Sequence, residues 1–187
     1  MITPIQRALG LVLAAALLTA CSTVPPTVEQ REELLQRAQA DLAEWKKADP
    51  DLDAFIQRRH GYVFFPEVTK AGAGIGGGYG RGVVFEQGQH VGYADVTQGS
   101  LGLQLGGQTY SELIIFQDKY AMDRFKRNSM DFGATASAVI ATTGTATSAP
   151  FVDGIAVIVK PLAGAMAEAT IAGQRVTYVP KDRAAAR

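Results

Sequence analysis

A run of glycines at every second position constrains this fold more than any other feature of the sequence. Successive side chains of a strand point to opposite faces, so a strand with this period has one face without side chains. Glycine inside a strand costs stability, and such a density therefore needs a reason. Either another backbone layer approaches this face closely, or the face forms a groove for a ligand. The glycines with this structural role are Gly72, Gly74, Gly76, Gly78, Gly80 and Gly82, with Gly102 and Gly106 in a second segment.

Short strands and turns are predicted around these glycines. An apolar strand over Tyr62–Phe65 is closed by Pro66, because proline cannot donate to a strand ladder. Glycine-containing turns at Gln87–Gln89 and at Gln98–Gly99 separate the strands that follow. The remaining predicted strands are 71–86, 90–97, 100–107, 113–116 and 155–159, with a terminal hairpin of 165–172 and 174–179 that turns at Gly173.

Three helices are predicted from apolar periodicity and capping residues. The first covers Glu29–Lys47, and the second starts at Asp49 as N-cap and ends near Gly61. The third begins after Asp118 and runs to about Asn128. Their inward residues are Leu34, Ala38, Leu42 and Trp45, then Leu52, Phe55 and Ile56, then Ala121, Met122 and Phe125.

These elements predict one α+β domain, with a strongly curved antiparallel sheet or partial barrel and helices packed on it. Glycine faces would let the strands curve tightly and the helices approach closely. Residues 132–150 are rich in Ala, Thr, Ser and Gly and fit either a loosely packed helix or a coil. The tail, Lys181–Arg187, is expected to fray.

The first twenty residues are typical of a cleaved signal peptide rather than of the fold. They combine a basic Arg7, a short apolar run and small residues at the end. Leu18-Thr19-Ala20-Cys21 resembles a bacterial lipobox, in which the peptidase cleaves before the cysteine and the thiol carries acyl chains such as palmitate. Cys21 is the only cysteine of the chain. An ordinary signal-peptide cysteine is the alternative interpretation.

This interpretation divides the chain into a lipoprotein signal peptide (1–20), a lipidated tether (21–28) and one domain (29–187). Several acyl chains on Cys21 would anchor the protein stably, since each buried methylene contributes about 0.8 kcal/mol. Ser22, where a retention signal would have Asp, resembles an outer-membrane sorting signal. We therefore expect an outer-membrane lipoprotein of the cell envelope that faces the periplasm.

Composition excludes several classes of protein. The chain has 18 Lys+Arg against 18 Asp+Glu, which removes the electrostatic argument for nucleic acid binding. One cysteine excludes a disulfide framework and a Cys-rich metal site, and His60 and His90 lie in no ligand motif. Residues 72–77 match G-x-G-x-x-G, but a strand rather than a helix follows them. We expect no cofactor, no metal and no enzyme activity.

The sequence contains no catalytic motif that would contradict this expectation. A nucleophile elbow is absent, and an acylated Cys21 leaves no free thiol. Asp95, Glu112 and Asp118 are carboxylates that spacing alone does not bring together.

Basic residues remain as candidates for contact with anionic lipid, where each cation contributes about 1 kcal/mol. Lys70 and Arg81 flank and interrupt the glycine strand. Arg58 and Arg59 are weaker candidates, because cations at a helix C-terminus also stabilise the helix dipole. Two interpretations stay open for the cations of the third helix, a solvated face or a membrane-facing one; these cations are Lys119, Arg124, Lys126 and Arg127.

An ordered series of motifs runs along the chain, namely the helix and strand of 52–66, Lys70-Ala71-Gly72, Gly76–Gly82, Gly102–Gln108 and the strand 113–116. Over about Ala40–Val179 this series resembles the lipid-binding SYLF domain family. Eukaryotic members bind phosphoinositides and other acidic lipids, and some bind and bundle actin. The resemblance implies a lipid-binding module. It does not imply actin binding here, because no actin is expected in a periplasm. The acidic segment 29–47 also departs from the basic membrane-binding segment of those members.

Three functions follow as hypotheses. The first is a lipid-anchored envelope protein whose domain binds anionic phospholipid headgroups through Lys70 and Arg81. The second is an envelope scaffold that binds a protein partner through its glycine-rich or Ala/Thr-rich face. The third, an enzyme acting on lipid or cell wall, has no residues in the sequence to support it.

Overall fold

A single curled sheet with helices on both sides forms the part of the chain that the computed structural model describes, namely residues 25, 27–128, 130–131, 139–140, 149–163 and 173–185. The helices are α1 (Val28–Ala48), α2 (Pro50–Gln57), α3 (Lys119–Asn128) and α4 (Lys181–Ala185). The strands are β1 (Gly61–Glu86), β2 (Gln89–Phe116), β3 (Met130–Asp131), β4 (Val139–Ile140), β5 (Ile155–Ala163) and β6 (Gln174–Pro180). The predicted α+β class with a curved sheet is confirmed.

Two very long strands dominate the sheet. β1 has 26 residues and β2 has 28, and they pair antiparallel along their length. A two-residue turn joins them, with Gln87 at φ 47° and Gly88 at φ 79°, as expected for a tight hairpin turn. The predicted turn at Gln87–Gln89 is thus confirmed.

Two predicted chain breaks are wrong, because the long strands continue through both places. Pro66 does not close a strand but lies in a bulge between Phe65 and Val68, where a missing N–H breaks no ladder bond. Gln98 and Gly99 form no turn, and β2 runs straight through them. A further register shift interrupts the ladder between Ala73 and Gly74.

β2 is the central strand. Beside its pairing with β1, it pairs antiparallel with β6 along Gly92–Gln98 and with β5 along Thr109–Phe116. β3 extends the sheet beyond β6, and β4 lies parallel to β5. The first strand of the predicted terminal hairpin, 165–172, and most of residues 132–150 lie outside the described residues.

The helices begin where the sequence predicts. Thr27 caps α1, Asp49 caps α2 through the N–H of Asp51, and Asp118 accepts from the N–H of Ala121 at 2.9 Å. Two ends differ from the prediction. α2 ends at Gln57, so Gly61 starts β1 instead of ending a helix. The tail is not frayed up to Ala185, because α4 buries Ala184.

Each side of the sheet has its own hydrophobic core. On the α1 side, Trp45 of α1 meets Phe64 edge to face at 5.4 Å. On the α3 side, Phe125 of α3 stacks on Phe116 at 5.0 Å between ring centroids. The inward residues predicted for the three helices are buried, except that Leu34 is half-buried.

Candidate functional site

A groove opens on the α1 side of the sheet, between α1 and the two halves of β1. Its volume is about 730 Å³. The groove is lined by Leu34, Arg37, Pro66, Glu67, Thr69, Ala71, Gly77, Gly78, Tyr79, Gly80 and Arg81. It lies where the glycine run of β1 comes close to the start of the same strand.

The glycines shape this region through close approach of backbone. A Cβ on Gly80 would lie 2.7 Å from the carbonyl oxygen of Glu67, and one on Gly82 would lie 2.8 Å from that of Phe64. Gly78 would meet the Cγ of Lys70 at 2.9 Å. The second half of β1 therefore packs against the first half of the same strand, with no room for side chains.

The opposite face of β1, on the α1 side, fits the second explanation of the glycines, a groove for a ligand. A Cβ on Gly77 would have its nearest contact at 3.7 Å, and Gly77 is an exposed residue of the groove. Close packing thus explains Gly78, Gly80 and Gly82, whereas Gly77 leaves the groove open. Of the other predicted structural glycines, Gly72 pairs with Gly106, Gly74 with Gly102, and Gly76 with Ser100 in the ladder.

Two arginines reach the groove from different elements. Arg37 of α1 pairs with Glu67 at 2.6 Å, an exposed ion pair that ties the helix to the bulge. Arg81 donates from Nε to the hydroxyl of Tyr79 at 2.8 Å and packs near its ring, and it lies opposite Asp95 in the ladder. Tyr79 is 43% exposed, one of the exposed large hydrophobic side chains of the described residues. The groove thus combines two guanidinium groups with an exposed aromatic ring.

Lys70, the other main candidate, lies on the α3 side of the sheet. Thr69 and Ala71 line the groove, and the residue between them points to the opposite face. Its ammonium lies 5.0 Å from the centroid of the Tyr110 ring. Burial lowers the pKa of Lys70, while the Glu112 carboxylate acts in the opposite direction.

That ammonium belongs to a polar cluster, made of the half-buried Lys70 and the buried Tyr110, Glu112 and Gln174. The Nε2 of Gln174 donates to the hydroxyl of Tyr110 at 2.9 Å and to Oε2 of Glu112 at 3.2 Å. Glu112 is fully buried, and its Oε1 has no hydrogen-bond partner among the described residues. Burial raises the pKa of Glu112 to about 7, against the lowering effects of Gln174 and Lys70.

Arg58 and Arg59 have different surroundings. Arg58 is exposed at the end of α2, as its C-cap. The Arg59 guanidinium lies between two rings, 4.7 Å from the Phe55 centroid and 4.8 Å from that of Phe151. Such cation–π stacking gives Arg59 a packing role. Neither residue lines the groove.

The basic residues of α3 are largely engaged within the protein. Lys119 pairs with Asp123, and Arg124 donates to the carbonyl oxygen of Asp153. Lys126 was predicted to point outward but is partly buried, because it pairs with Glu86 at 2.8 Å. Among the three carboxylates considered, Asp118 caps α3 and Glu112 belongs to the polar cluster.

Sequence reasoning missed Arg37, Tyr79 and Glu112 as site residues. Arg37 appears in the sequence only as part of charge pairs on a helix surface. Tyr79 and Arg81 stand two apart in a predicted strand, a spacing that places them on one face. Glu112 stands directly before an apolar run, which is the available signal of a buried carboxylate.

Two features are absent from the residues that the structure describes. Within them, no group of three or more His, Cys, Asp or Glu side chains could hold a metal ion. None of the helices in this part of the chain has the length and apolar character needed to cross a membrane. Cys21 lies outside the described residues, so its acylation stays a prediction.

Comparison with known proteins identifies one family. Residues 97–182 match the family model described as Ysc84, Las17-binding protein actin regulator. The match includes most of β2 and all of β5 and β6, and it leaves out β1 and α1. No curated protein matches the chain. Because β1 pairs with β2 along its length, the matched and unmatched parts form one sheet.

Proposed function

We propose that the groove binds the headgroup of an anionic phospholipid, since this chain belongs to the SYLF-domain family. The Ysc84 model that matches residues 97–182 is the model of this family. The family is one of binding domains. Arg37 and Arg81 hold the phosphate from two sides. The observation that carries the proposal is that two arginines from different elements line one groove of about 730 Å³.

The chemistry of the groove supports an amphiphilic ligand. Guanidinium groups bind phosphate oxygens in a bidentate manner, and the Thr69 hydroxyl adds a further donor. Leu34 and Pro66 supply apolar surface for the glycerol and the first methylenes. The exposed Tyr79 has the amphipathic ring that suits a membrane interface.

The Arg37–Glu67 ion pair is weak enough for Arg37 to exchange Glu67 for such a ligand. It is exposed, with side-chain exposures of 52% and 45%, and exposed ion pairs contribute about 0–1 kcal/mol. Replacing Glu67 by a phosphate as the partner of Arg37 therefore costs the protein little stability. Arg81 donates from Nε to Tyr79, and in this proposal its guanidinium contacts the ligand from the β1 side of the groove.

Acylated Cys21 holds the domain at the membrane in this proposal, on the periplasmic face of an outer membrane. Arg31 supports a fixed exit for the tether, because its buried side chain donates to the carbonyl oxygen of Pro25 at 3.1 Å. Three residues separate Cys21 from Pro25, and the four extended steps between their Cα atoms span at most about 14 Å. The groove would then work close to the bilayer that anchors the chain.

Vesicle binding by residues 22–187 tests the proposal without the anchor, and this fragment contains every residue that the structure describes. We expect binding that rises with phosphatidylglycerol content and falls with salt. Arg81→Gln and Arg37→Gln should each weaken it about fivefold, the effect of one cation near anionic headgroups. Arg175→Gln is the matched control, because it removes the same charge from an exposed residue that does not line the groove.

Equal losses in all three variants would indicate a general charge effect and contradict a groove site. No binding at low salt would leave the anchor as the membrane contact. It would favour the second candidate function, an envelope scaffold that binds a protein partner. The family description supports that alternative, since it names binding to a protein.

A further inference from the structure

The β-bulge of β1 brings the Glu67 carboxylate into the groove. The β1–β2 ladder shifts register between Phe65 and Val68, so Pro66 and Glu67 together stand opposite a single residue of β2. Phe65 and Val68 both belong to the hydrophobic core on the α3 side. Pro66 and Glu67 both line the groove on the α1 side. In a regular strand Glu67 would share the buried face of Phe65, so the bulge is what gives the groove this carboxylate.

The backbone that carries the Glu67 side chain is held from two directions. The hydroxyl of Ser111 donates to the carbonyl oxygen of Pro66 at 2.8 Å, and both residues are buried. The carbonyl oxygen of Glu67 lies against Gly80, 2.7 Å from the position of a Cβ there. Bulges beside binding sites commonly re-aim one side chain, and here the re-aimed side chain is Glu67.

A carboxylate needs a reason in a groove that binds phosphate, because like charges repel. Oε2 of Glu67 lies 2.6 Å from Nη2 of Arg37, and the Glu67 side chain is 45% exposed. When a phosphate becomes the partner of Arg37, the Glu67 carboxylate stays beside the bound headgroup. An ionised carboxylate can only accept hydrogen bonds. A headgroup that carries a donor close to its phosphate therefore fits this groove better than one without a donor.

A hydroxyl suits the position beside Glu67 better than an ammonium does. An ammonium would bring a second cation next to the Arg37 guanidinium, whereas a hydroxyl is neutral. The glycerol headgroup of phosphatidylglycerol carries its hydroxyls on the carbons that follow the phosphate ester, so its donors lie close to its phosphate. The pair of Arg37 and Glu67 thus matches a phosphate followed by a hydroxyl.

We propose that Glu67 is a specificity-determining residue, which accepts a hydrogen bond from a headgroup hydroxyl while Arg37 binds the phosphate. The groove then selects phosphodiesters of a polyol over anionic headgroups that lack a hydroxyl. This inference rests on the proposed function and deepens it by naming the class of headgroup.

Vesicles that differ only in the hydroxyls of one headgroup test this selection. Phosphatidylglycerol and phosphatidylethanol are both phosphodiesters with one negative charge, and each is mixed with phosphatidylcholine in the same proportion. Residues 22–187 should bind the phosphatidylglycerol vesicles about fivefold more tightly at the same salt concentration, the effect of one net hydrogen bond.

Glu67→Ala should abolish this preference. It removes the acceptor for the hydroxyl and also a carboxylate that competes with phosphate for Arg37, so binding to phosphatidylethanol should tighten until the two lipids bind equally. Glu44→Ala is the matched control, because Glu44 is an exposed glutamate of α1 that pairs with Lys47 and does not line the groove. It should change the binding of both lipids alike and keep the fivefold ratio. Circular dichroism and thermal melting check the folding of each variant.

The outcomes separate this inference from the proposed function. Equal binding of the two lipids by the wild type overturns the inference and leaves the proposed function in place, as does a preference that survives in Glu67→Ala. Tighter binding to vesicles of phosphatidylethanolamine than to those of phosphatidylglycerol would assign an ammonium to the position beside Glu67 and would also overturn it. If neither anionic lipid is bound at low salt, the proposed function fails and this inference fails with it.

Discussion

At the scale of single residues, Glu86 is the carboxylate that contributes most clearly to stability. It accepts from Nε2 of His60 at 2.9 Å and from Nζ of Lys126 at 2.8 Å, which joins the turn end of the β1–β2 hairpin to α3 and to the residue before β1. Burial acts to raise the pKa of Glu86, but these hydrogen bonds outweigh it and hold the pKa below its usual value. The stabilisation is therefore present at neutral pH and is lost as the pH falls through the pKa of the folded state.

Glu86→Gln should lower the free energy of unfolding by about 1–2 kcal/mol at neutral pH, the value of hydrogen bonds to a charged group. For a chain of this length the melting temperature should fall by about 3–6 °C. The difference from wild type should shrink in acid, where the wild-type carboxylate is protonated. Thermal melts across pH measure both effects.

Glu67→Gln is the matched control for Glu86, because it breaks an exposed ion pair and should change the melting temperature little. A loss in Glu86→Gln that stays constant down to acid pH would contradict the ionic origin of the stabilisation.

Residues with local roles could be predicted from the sequence, whereas residues with long-range partners could not. Asp49 and Asp118 cap helices that begin one residue later, so all the residues of each cap are close neighbours in the sequence. The polar cluster joins Lys70, Glu112 and Gln174 from three strands. Spacing within a strand cannot reveal that three distant strands place polar groups at one point. Arg37 was missed for the same reason, since its groove partner Glu67 lies 30 positions away.

At the scale of elements, the type of each helix and strand was predictable but the length of the strands was not. Pro66 and Gln98–Gly99 have the composition of strand ends. A β-bulge tolerates proline, and a curled sheet needs glycine inside its strands, so tertiary structure overrode these local signals. Two predicted strands therefore merge in β1 and three merge in β2, each a single bent strand.

Gly82→Ala tests whether close packing explains the glycines of β1. Its added Cβ would lie 2.6 Å from Cδ1 of Phe65 and 2.8 Å from the carbonyl oxygen of Phe64. Neither a buried ring nor a paired backbone can yield easily, so we expect a loss of about 2–3 kcal/mol, typical of overpacking. Denaturant titration should show a lower midpoint with an unchanged slope.

Gly99→Ala is the matched control within the same sheet. A Cβ on Gly99 has nothing within 4 Å, and its backbone φ is not positive. Its substitution should be neutral or stabilise the protein by up to about 1 kcal/mol, because alanine reduces the entropy of the unfolded chain. Equal effects at the two positions would refute the packing explanation.

At the scale of the whole molecule, the fold class was predictable because glycine density, short helices and apolar runs all favour a curled sheet. The groove was foreseen only as an alternative to close packing, yet both occur. They occupy opposite faces of the same strand, so the close packing on the α3 side brings the two halves of β1 together and leaves the groove on the α1 side. One structural cause thus accounts for both.

The proposed anchor gives a test at the level of the whole chain. If Cys21 is acylated after cleavage, Cys21→Ser should abolish fatty-acid labelling and leave a precursor that is longer by residues 1–20. Ser22→Ala is the control, because it changes the neighbouring residue and leaves the thiol in place. Labelling with a palmitate analogue, followed by electrophoresis and mass spectrometry of the N-terminus, measures both outcomes.

The same experiment bears on how the domain works, because the anchor and the groove contribute to membrane binding in different ways. Acyl chains bind through buried methylenes and should resist salt, whereas arginine–phosphate contacts weaken as salt rises. The acylated protein should therefore stay bound at high salt, and Arg81→Gln should change the release of the unacylated fragment 22–187 but not that of the acylated protein. Normal labelling of Cys21→Ser would refute the anchor, and the groove would then have to account for all membrane binding.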